Sequence, residues 1–519
     1  MRQTPSWLKD AVFYEIYPQT FYDSDADGIG DLQGIIEKLD YVKSLGCNAL
    51  WLNPFFESPF MDAGYDVSDY TKVAARYGSN EDAKRLFEEA HARGIHVLLD
   101  LVAGHTSDRH PWFLQSKEAE RNQYSDRYVW TDGAFVGIKD RPYMAGMSDR
   151  DGAYMLNFFA SQPALNYGWL ERSEAWMSAP DSEEAVATKE AMKSIMRFWL
   201  DMGADGFRCD MADSLVKNDD EQKSATAAIW MDIRRMLEAE YPQAVLVSEW
   251  SNPQQAINGG GFHADFYLDH HYNGYNTLLR DYETEGGDHS YFLSTADGDI
   301  NRFLHDYLPK YEATRENGYI AFFTCNHDTP RPARTLSVEE LRIAYAFLFT
   351  MPGVPFLYYG DELGLAYREG LRSKEGGFAR TGSRTPMQWD AGENRGFSQA
   401  AAEKLYLPVE PERNGCDVEE QEKDSTSLLQ TTRELIALRH AHTDLQADAL
   451  FSVIRAKKGS PFVYRRGDMI LAVWPTDAKS RMNAAELAGY HTIYTLGEVS
   501  LEGTALSMEG AGFAVFARG

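Results

Sequence analysis

At 519 residues the chain is longer than one ordinary domain of roughly 100–200 residues, so a large barrel with appended modules or several domains is expected. Hydrophobic residues make up 44% and charged residues 25%, a globular balance that excludes disorder, collagen and coiled coil as the main architecture. Lys and Arg number 51 against 79 Asp and Glu, and the resulting net charge of −28 offers no basic footprint for nucleic acid or an anionic membrane.

Eight short apolar runs follow one another along the chain, each ending in a polar tail. They lie at 12–17, 49–53, His96–Val102, Gly206–Asp210, 245–250, 266–270, 320–325 and 354–359. Continuous runs of this kind suit strands buried on both faces, as in a parallel sheet. Between them come amphipathic patterns at 31–45, stopped by Gly46, at 80–93 before Gly94, at 184–202 before Gly203, and at 226–240 before Tyr241 and Pro242. Alternating strands and helices in eightfold repeat predict an α/β fold, a (β/α)8 TIM barrel. No Gly-rich phosphate loop follows the first strand, which argues against an open doubly wound sheet.

Two insertions break the rhythm. Residues 103–180, rich in Asp, Gly, Tyr and Trp, predict a loop-rich insertion after strand 3, and a second insertion covers 366–425. After a last helix at 427–441, alternating short strands predict a C-terminal antiparallel β domain. The expected organisation is a first barrel part over 1–102, an inserted domain over 103–180, a second barrel part over 181–441 and a C-terminal β-sandwich over 442–519. Four cysteines, Cys47, Cys209, Cys325 and Cys416, form no CxxC pair and read as reduced core thiols. No apolar run follows Arg2 as a secretory leader requires, and no stretch approaches the roughly 20 apolar residues of a membrane span. A soluble, cytoplasmic protein is the expectation, and its oligomeric state is left open.

Catalytic groups of such barrels gather at the C-terminal ends of the strands. Here those ends carry Asp100 and His105, then Arg208 and Asp210, then Glu249, then His327 and Asp328. Clustered carboxylates suit either metal binding or glycoside hydrolysis, and the metal reading lacks an HxxxH-type ligand pair. A retaining glycosidase needs two carboxyls about 5–5.5 Å apart, one ionised and one protonated. Arg208 lies two residues before Asp210, so both point to one face of the strand, and the guanidinium is expected to keep Asp210 ionised. Glu249 is then the carboxyl that stays protonated. Separately, Asp23, Asp25, Asp27 and Asp31 alternate through a Gly-containing turn, a pattern able to wrap a hard cation. It is not an EF-hand, because Gly34 stands at the twelfth position.

Taken together, DLVAGHTSD at 100–108, GFRCD at 206–210, SEW at 248–250 and CNHD at 325–328 resemble four ordered regions of the α-amylase family, glycoside hydrolases that act on α-glucosidic bonds with retention. The resemblance runs from about Trp7 to the C-terminus. It implies Asp210 as nucleophile, Glu249 as general acid/base and Asp328 as the group that stabilises the transition state. It also implies that Arg208, His105 and His327 hold the sugar and that Asp100 orients Arg208. MDAGYDVSDY at 61–70 and SRTPMQWD at 383–390 are similar to segments of the oligo-1,6-glucosidase and α-glucosidase branch, which implies a glucose pocket lined by Asp62, Tyr65 and Arg384. Phe159 and Gln162 in FFASQPALN match a further pocket-lining region. The same branch carries a calcium loop whose counterparts here are Asp23, Asp25, Asp27, the Ile29 carbonyl and Asp31, implying a structural Ca²⁺ and no organic cofactor.

Three positions depart from the family pattern. Gly104 stands where Asn is usual, QPALN replaces QPDLN, and Met211 follows the implied nucleophile. Gly104 speaks against the second calcium site that the usual Asn serves in α-amylases, and the other two leave open the preference between α-1,4 and α-1,6 linkages. The leading expectation is hydrolysis of malto-oligosaccharides or related short α-glucans by double displacement. A transglycosylase or isomerase on sucrose, maltose or trehalose is the alternative, and a non-catalytic carbohydrate-binding relative is the third reading.

Overall fold

The computed structural model describes residues 4–137, 139, 141–269, 273–282, 286–375, 380–411 and 415–518. Eight strands close into a barrel: β1 (Phe13–Ile16), β2 (Ala49–Leu52), β3 (His96–Val102), β4 (Gly206–Asp210), β5 (Val245–Ser248), β6 (Ala264–Phe266), β7 (Tyr319–Phe323) and β8 (Val354–Tyr358). Every neighbouring pair is parallel, and β8 closes on β1 through Phe13 opposite Phe356. The strands are buried almost throughout, which is why each appears in the sequence as an unbroken apolar run.

Among the described residues, seven long helices surround the barrel: α1 (Leu32–Leu45), α2 (Asn80–Ala92), α3 (Glu183–Met202), α4 (Ser224–Glu240), α5 (Ile300–Thr314), α6 (Val338–Thr350) and α7 (Leu428–Ala441). Side chains start them where the sequence places a cap. Asp31 accepts from the Gly34 amide, Ser182 from that of Ala185, and Ser79 and Ser337 form capping boxes with Asp82 and Glu340. Gly46, at φ 90, ends α1 as the left-handed residue only glycine adopts freely. In the fifth repeat a single wide turn, Gln254–Gly259, replaces the outer helix.

Two differences from the sequence reading have physical causes. The sixth strand is Ala264–Phe266, earlier than the expected 266–270, because a buried acid, Asp265, sits in the ladder opposite Ser248 and interrupts the apolar pattern. The end of the expected run, His270, lies outside the described residues. Helix α6 has no amphipathic period to detect, since ten of its thirteen residues are buried between the barrel and the C-terminal sheets.

Between β3 and α3 lies the loop-rich insertion, with a short helix Pro111–Ser116, a ribbon of Tyr143–Ala145 with Ala153–Met155, and a small core of Val129, Met155, Ala164, Trp169 and Met177. It is tied to the barrel mouth by backbone bonds, Leu165 N–H to the Gly104 carbonyl at 3.0 Å and Lys217 N–H to that of Gly168 at 2.9 Å. After α7 come β9 (Phe451–Arg455), β10 (Phe462–Arg466), β11 (Met469–Trp474), β12 (Ser480–Asn483), β13 (Tyr490–Leu496), β14 (Val499–Glu502), β15 (Ala505–Met508) and β16 (Gly512–Arg518). They form two antiparallel sheets, ordered β9-β10-β11-β16-β13 and β12-β15-β14. The buried Arg439 donates to the carbonyls of Phe349, Met351 and Gly353, so its guanidinium caps the end of α6.

Strand β4 has a strict requirement at its first residue. Gly206 sits at φ 143, and a Cβ there would lie 2.0 Å from the Val245 carbonyl oxygen of β5. Gly206→Ala is therefore expected to destabilise the fold by about 3 kcal/mol through backbone strain and overpacking. Thermal unfolding of the variant checks this, and an unchanged Tm contradicts it.

Candidate active site

The strand-end residues meet around one guanidinium. Arg208, 1% exposed, contacts Asp100 Oδ1 at 2.8 Å and Asp210 Oδ1 at 3.1 Å through Nη1, and Glu249 Oε1 at 2.8 Å through Nη2. Asp100 is consumed by structure, because its other oxygen accepts from the Trp51 indole and the Tyr65 hydroxyl, each at 3.0 Å. The second oxygen of Glu249 accepts the Met211 N–H at 2.9 Å, a bond allowed by the left-handed turn of Met211 at φ 40. Arg208 thus serves three carboxylates and does not single out Asp210, as the spacing alone suggested. Burial pushes the Asp210 carboxyl well up, the neighbouring charge of Glu249 adds to this, and Arg208 opposes it. Asp210 and Glu249 are therefore tied to one cation.

A second group lies beside it. His327 meets Glu15 Oε1 through Nδ1 at 2.9 Å, and Tyr65 Oη at 2.7 Å and Asp328 Oδ2 at 3.2 Å through Nε2. Burial would lower its pKa, but the charges and hydrogen bonds of Asp328 and Glu15 prevail and push it up to about 9. Asp328 is held well below the carboxylate range: burial opposes this, and His327, Arg380 and Arg384 outweigh it. His105 is the opposite case. Burial lowers it to about 4, so the ring is neutral. Nε2–H donates to the Tyr65 carbonyl at 3.1 Å and Nδ1 accepts from the Asn157 amide at 2.9 Å, so both nitrogens are already occupied by protein groups.

Asp62, Gln162 and the two arginines complete a polar ring. Asp62 accepts from Gln162 Nε2 at 2.8 Å and pairs with Arg380, whose Nη1 reaches Asp328 Oδ1 at 2.7 Å. Arg384 contacts the same Asp328 oxygen at 2.8 Å, Glu375 Oε2 at 2.8 Å and the His327 carbonyl at 2.8 Å. Arg384 therefore reaches the pocket through Asp328, while Arg380, which the motif did not flag, bridges Asp62 and Asp328. The Phe159 N–H donates to Gln162 Oε1 at 2.8 Å, fixing that amide, and its ring packs edge-on against the exposed Phe158. Side-chain exposure falls from 32% at Asp328 through 17% at Glu249 and 11% at Asp210 to 5% at Asp62. That gradient places Asp328 nearest solvent and Asp62 deepest in the ring.

Glu15, Glu375, Arg380 and Asn157 join the site without having been picked from the sequence. At Gly104, a Cβ would lie 3.1 Å from the Asn157 amide nitrogen, a tight approach to the group that meets His105. In the acidic loop, ligand oxygens of Asp23, Asp25 and Asp27 lie within 4.8 Å of one another. Asp31 is engaged elsewhere, accepting Ser24 N–H at 2.8 Å and Gly34 N–H at 2.7 Å at the head of α1. Ile29 donates its N–H to Asp27 at 2.8 Å, which tightens the turn.

With this geometry in view, residues 15–448 match the family model described as the α-amylase catalytic domain. The chain belongs to the α-amylase family. It is 33% identical over 509 residues to a trehalose synthase/amylase of Mycolicibacterium smegmatis, covering 89% of this chain and 80% of the relative. It is 30% identical over 527 residues to an oligo-1,6-glucosidase of Parageobacillus thermoglucosidasius, covering 88% and 87%. Among solved structures, an α-glucosyl transfer enzyme superposes with a TM-score of 0.80 at 26% identity, covering 99% of this chain and 100% of that one. The protein is an α-glycosidase-type enzyme of this family. Among the described residues no helix is long and apolar enough to cross a membrane.

The charged His327 couples folding to pH. Its folded pKa of about 9 lies above the value of 6.5 expected when unfolded, so its stabilising contribution is complete below pH 6.5 and is lost as pH rises through 9. Thermal unfolding between pH 6 and 10 is expected to show a falling Tm across that window. His327→Gln should flatten the fall, and an identical pH slope in parent and variant would refute the assignment.

Proposed function

We propose that the protein is a retaining α-glucosidase that removes single glucosyl units from short α-glucosides, malto-oligosaccharides among them. The observation that carries this reading is Asp210 and Glu249 sharing the Arg208 guanidinium beside a deep ring closed by Asp62, Arg380 and Asp328. In the first step an Asp210 oxygen forms a bond to the anomeric carbon as the glycosidic C–O bond breaks, and the Glu249 proton passes to the departing oxygen. In the second, Glu249 takes a proton from water, whose oxygen displaces Asp210. Asp328, held ionised by His327 and both arginines, would accept hydroxyl hydrogen bonds that tighten as positive charge develops on the ring. Tyr65, stacked on His327 with ring centroids 5.2 Å apart, offers a fixed aromatic wall.

A second reading has support of similar weight. The likeness to the trehalose synthase/amylase extends over nine-tenths of the chain. If the released sugar stays bound and re-attacks through another hydroxyl, the same carboxylates perform an isomerisation. Chromatography of products from maltose, isomaltose, trehalose, sucrose and maltotetraose separates the two. Free glucose from the chain end supports the hydrolase, and maltose converted to trehalose without matching glucose supports the isomerase. Asp210→Asn is expected to lower turnover at least about 10⁴-fold while folding persists. Near-parental turnover in that variant would sink both readings.

The Asp23, Asp25 and Asp27 cluster supports a structural Ca²⁺, since its donors are hard carboxylate oxygens gathered around one turn. Asp23 also accepts N–H bonds from Ala26 and Gly28, each at 2.8 Å, so the loop is shaped by the backbone. Bound ion would hold the loop between β1 and α1 in place. Chelation is expected to lower Tm, added Ca²⁺ to restore it, and Asp25→Asn with Asp27→Asn to abolish the response. A Tm indifferent to chelator argues for a loop that needs no ion. The four free thiols suit a reducing compartment and support a cytoplasmic location.

A further inference from the structure

Glu249 is held from two directions. Its side chain is gripped by Arg208 and the Met211 N–H, both from β4 and the turn after it. Its backbone runs out of β5 into a turn in which Ser251 takes φ 58, an uncommon left-handed position for a residue with a side chain. Beside that turn lies Asp265, the middle residue of β6, directly opposite Ser248 in the parallel ladder.

Asp265 is 0% exposed. A carboxyl buried in a barrel wall carries a large desolvation cost unless its partners offset it. Ser248 Oγ donates to Oδ1 at 2.6 Å, a short O–H···O bond. Burial pushes the carboxyl up to about 8. The Ser248 bond and the backbone N–H groups of Ser251, Trp250 and Asn252 pull the other way. Among the described residues Oδ2 closes no hydrogen bond. The contact that ties the acid to β5 is the Ser248 hydroxyl, on the residue directly before Glu249. Trp250 is then locked in turn by its indole N–H to Gln255 Oε1 at 3.1 Å.

We propose that Asp265 is a positioning residue for Glu249: by holding the Ser248 hydroxyl across the β5–β6 ladder, it fixes the end of β5 from which the Glu249 carboxyl is aimed at the glycosidic oxygen. The inference rests on the reading of Glu249 as general acid. It has a distinctive consequence. A sugar leaving group must receive a proton as the C–O bond breaks, whereas fluoride leaves an α-glucosyl fluoride as an anion and needs none. Misaiming the acid therefore slows cleavage of disaccharides and spares the fluoride. General loss of structure slows both.

The test measures kcat/KM for α-glucosyl fluoride and for whichever of maltose, isomaltose or trehalose the parent turns over fastest. Parent, Asp265→Asn, Ser248→Ala and Glu249→Gln are compared. The ratio of the two values does not depend on how much enzyme is folded, and Ser248→Ala carries the test alone if Asp265→Asn is insoluble. Glu249→Gln is expected to depress the disaccharide relative to the fluoride by about 10²-fold or more. Asp265→Asn should do so by roughly ten- to a hundredfold, and Ser248→Ala in the same sense by less. Equal losses on both substrates in the Asp265 and Ser248 variants overturn the inference and leave Asp265 a structural acid. An unchanged ratio in Glu249→Gln overturns instead the reading of Glu249 on which it rests.

Discussion

Everything at the barrel mouth depends on one buried cation divided among three carboxylates. Arg208 has no solvent to fall back on, and its charge is the nearest compensation for Asp100, Asp210 and Glu249 together. Asp100 is fixed further by Trp51 and Tyr65, so it anchors the guanidinium and leaves two of its edges to the other acids. Burial and the neighbouring Glu249 push the Asp210 carboxyl up, and Arg208 opposes them. The double displacement proposed above needs one carboxyl charged and one protonated. Arg208 alone does not impose that asymmetry, because it contacts both.

The second cluster is built on the opposite principle. Asp328 faces His327, Arg380 and Arg384, an excess of positive charge that keeps it ionised even beside other acids. Glu15 from β1 and Glu375 from the late insertion hold His327 and Arg384 in place from behind. Arg380 spans Asp62 and Asp328, the deepest and the most exposed acids of the ring. On the proposed reading, a glucosyl unit entering that ring must exchange hydroxyl contacts for some of these charge-assisted bonds. Such an exchange favours a ligand that matches every acid and arginine at once, because a partial match leaves buried charges unpaired.

The parts legible in the sequence are those whose signal is local. Strands buried on both faces appear as apolar runs, Gly46 and Gly203 mark helix ends, and Arg208 with Asp210 follows from two-residue spacing on one strand. What was hidden depends on partners far along the chain. His327 meets Glu15 across 312 positions, and Arg380 meets Asp62 across 318. No window of sequence contains both members, so Glu15 and Arg380 look like ordinary charged residues. Asn157 was hidden for a related reason: its role depends on the space that Gly104 leaves, and an absent side chain gives no pattern to read. Asp265 misled the strand assignment because a buried acid breaks the apolar rule that locates strands.

That exception also shows how the barrel distributes its tasks. β4 supplies Asp210, the cation beside it and the backbone amide that meets Glu249. β5 leads into Glu249, and β6 supplies Asp265, which accepts from the hydroxyl of the preceding Ser248. Groups carried by strands are held more precisely than groups on loops, so neighbours along the ladder are natural supports for a group whose aim matters to fractions of an ångström. Burying Asp265 costs free energy that an apolar residue at the same position would not. The cost is understandable where the acid stiffens a turn that departs from ideal geometry at Ser251, since a free turn at that point would let the carboxyl of Glu249 swing about its own backbone while Arg208 still held its tip.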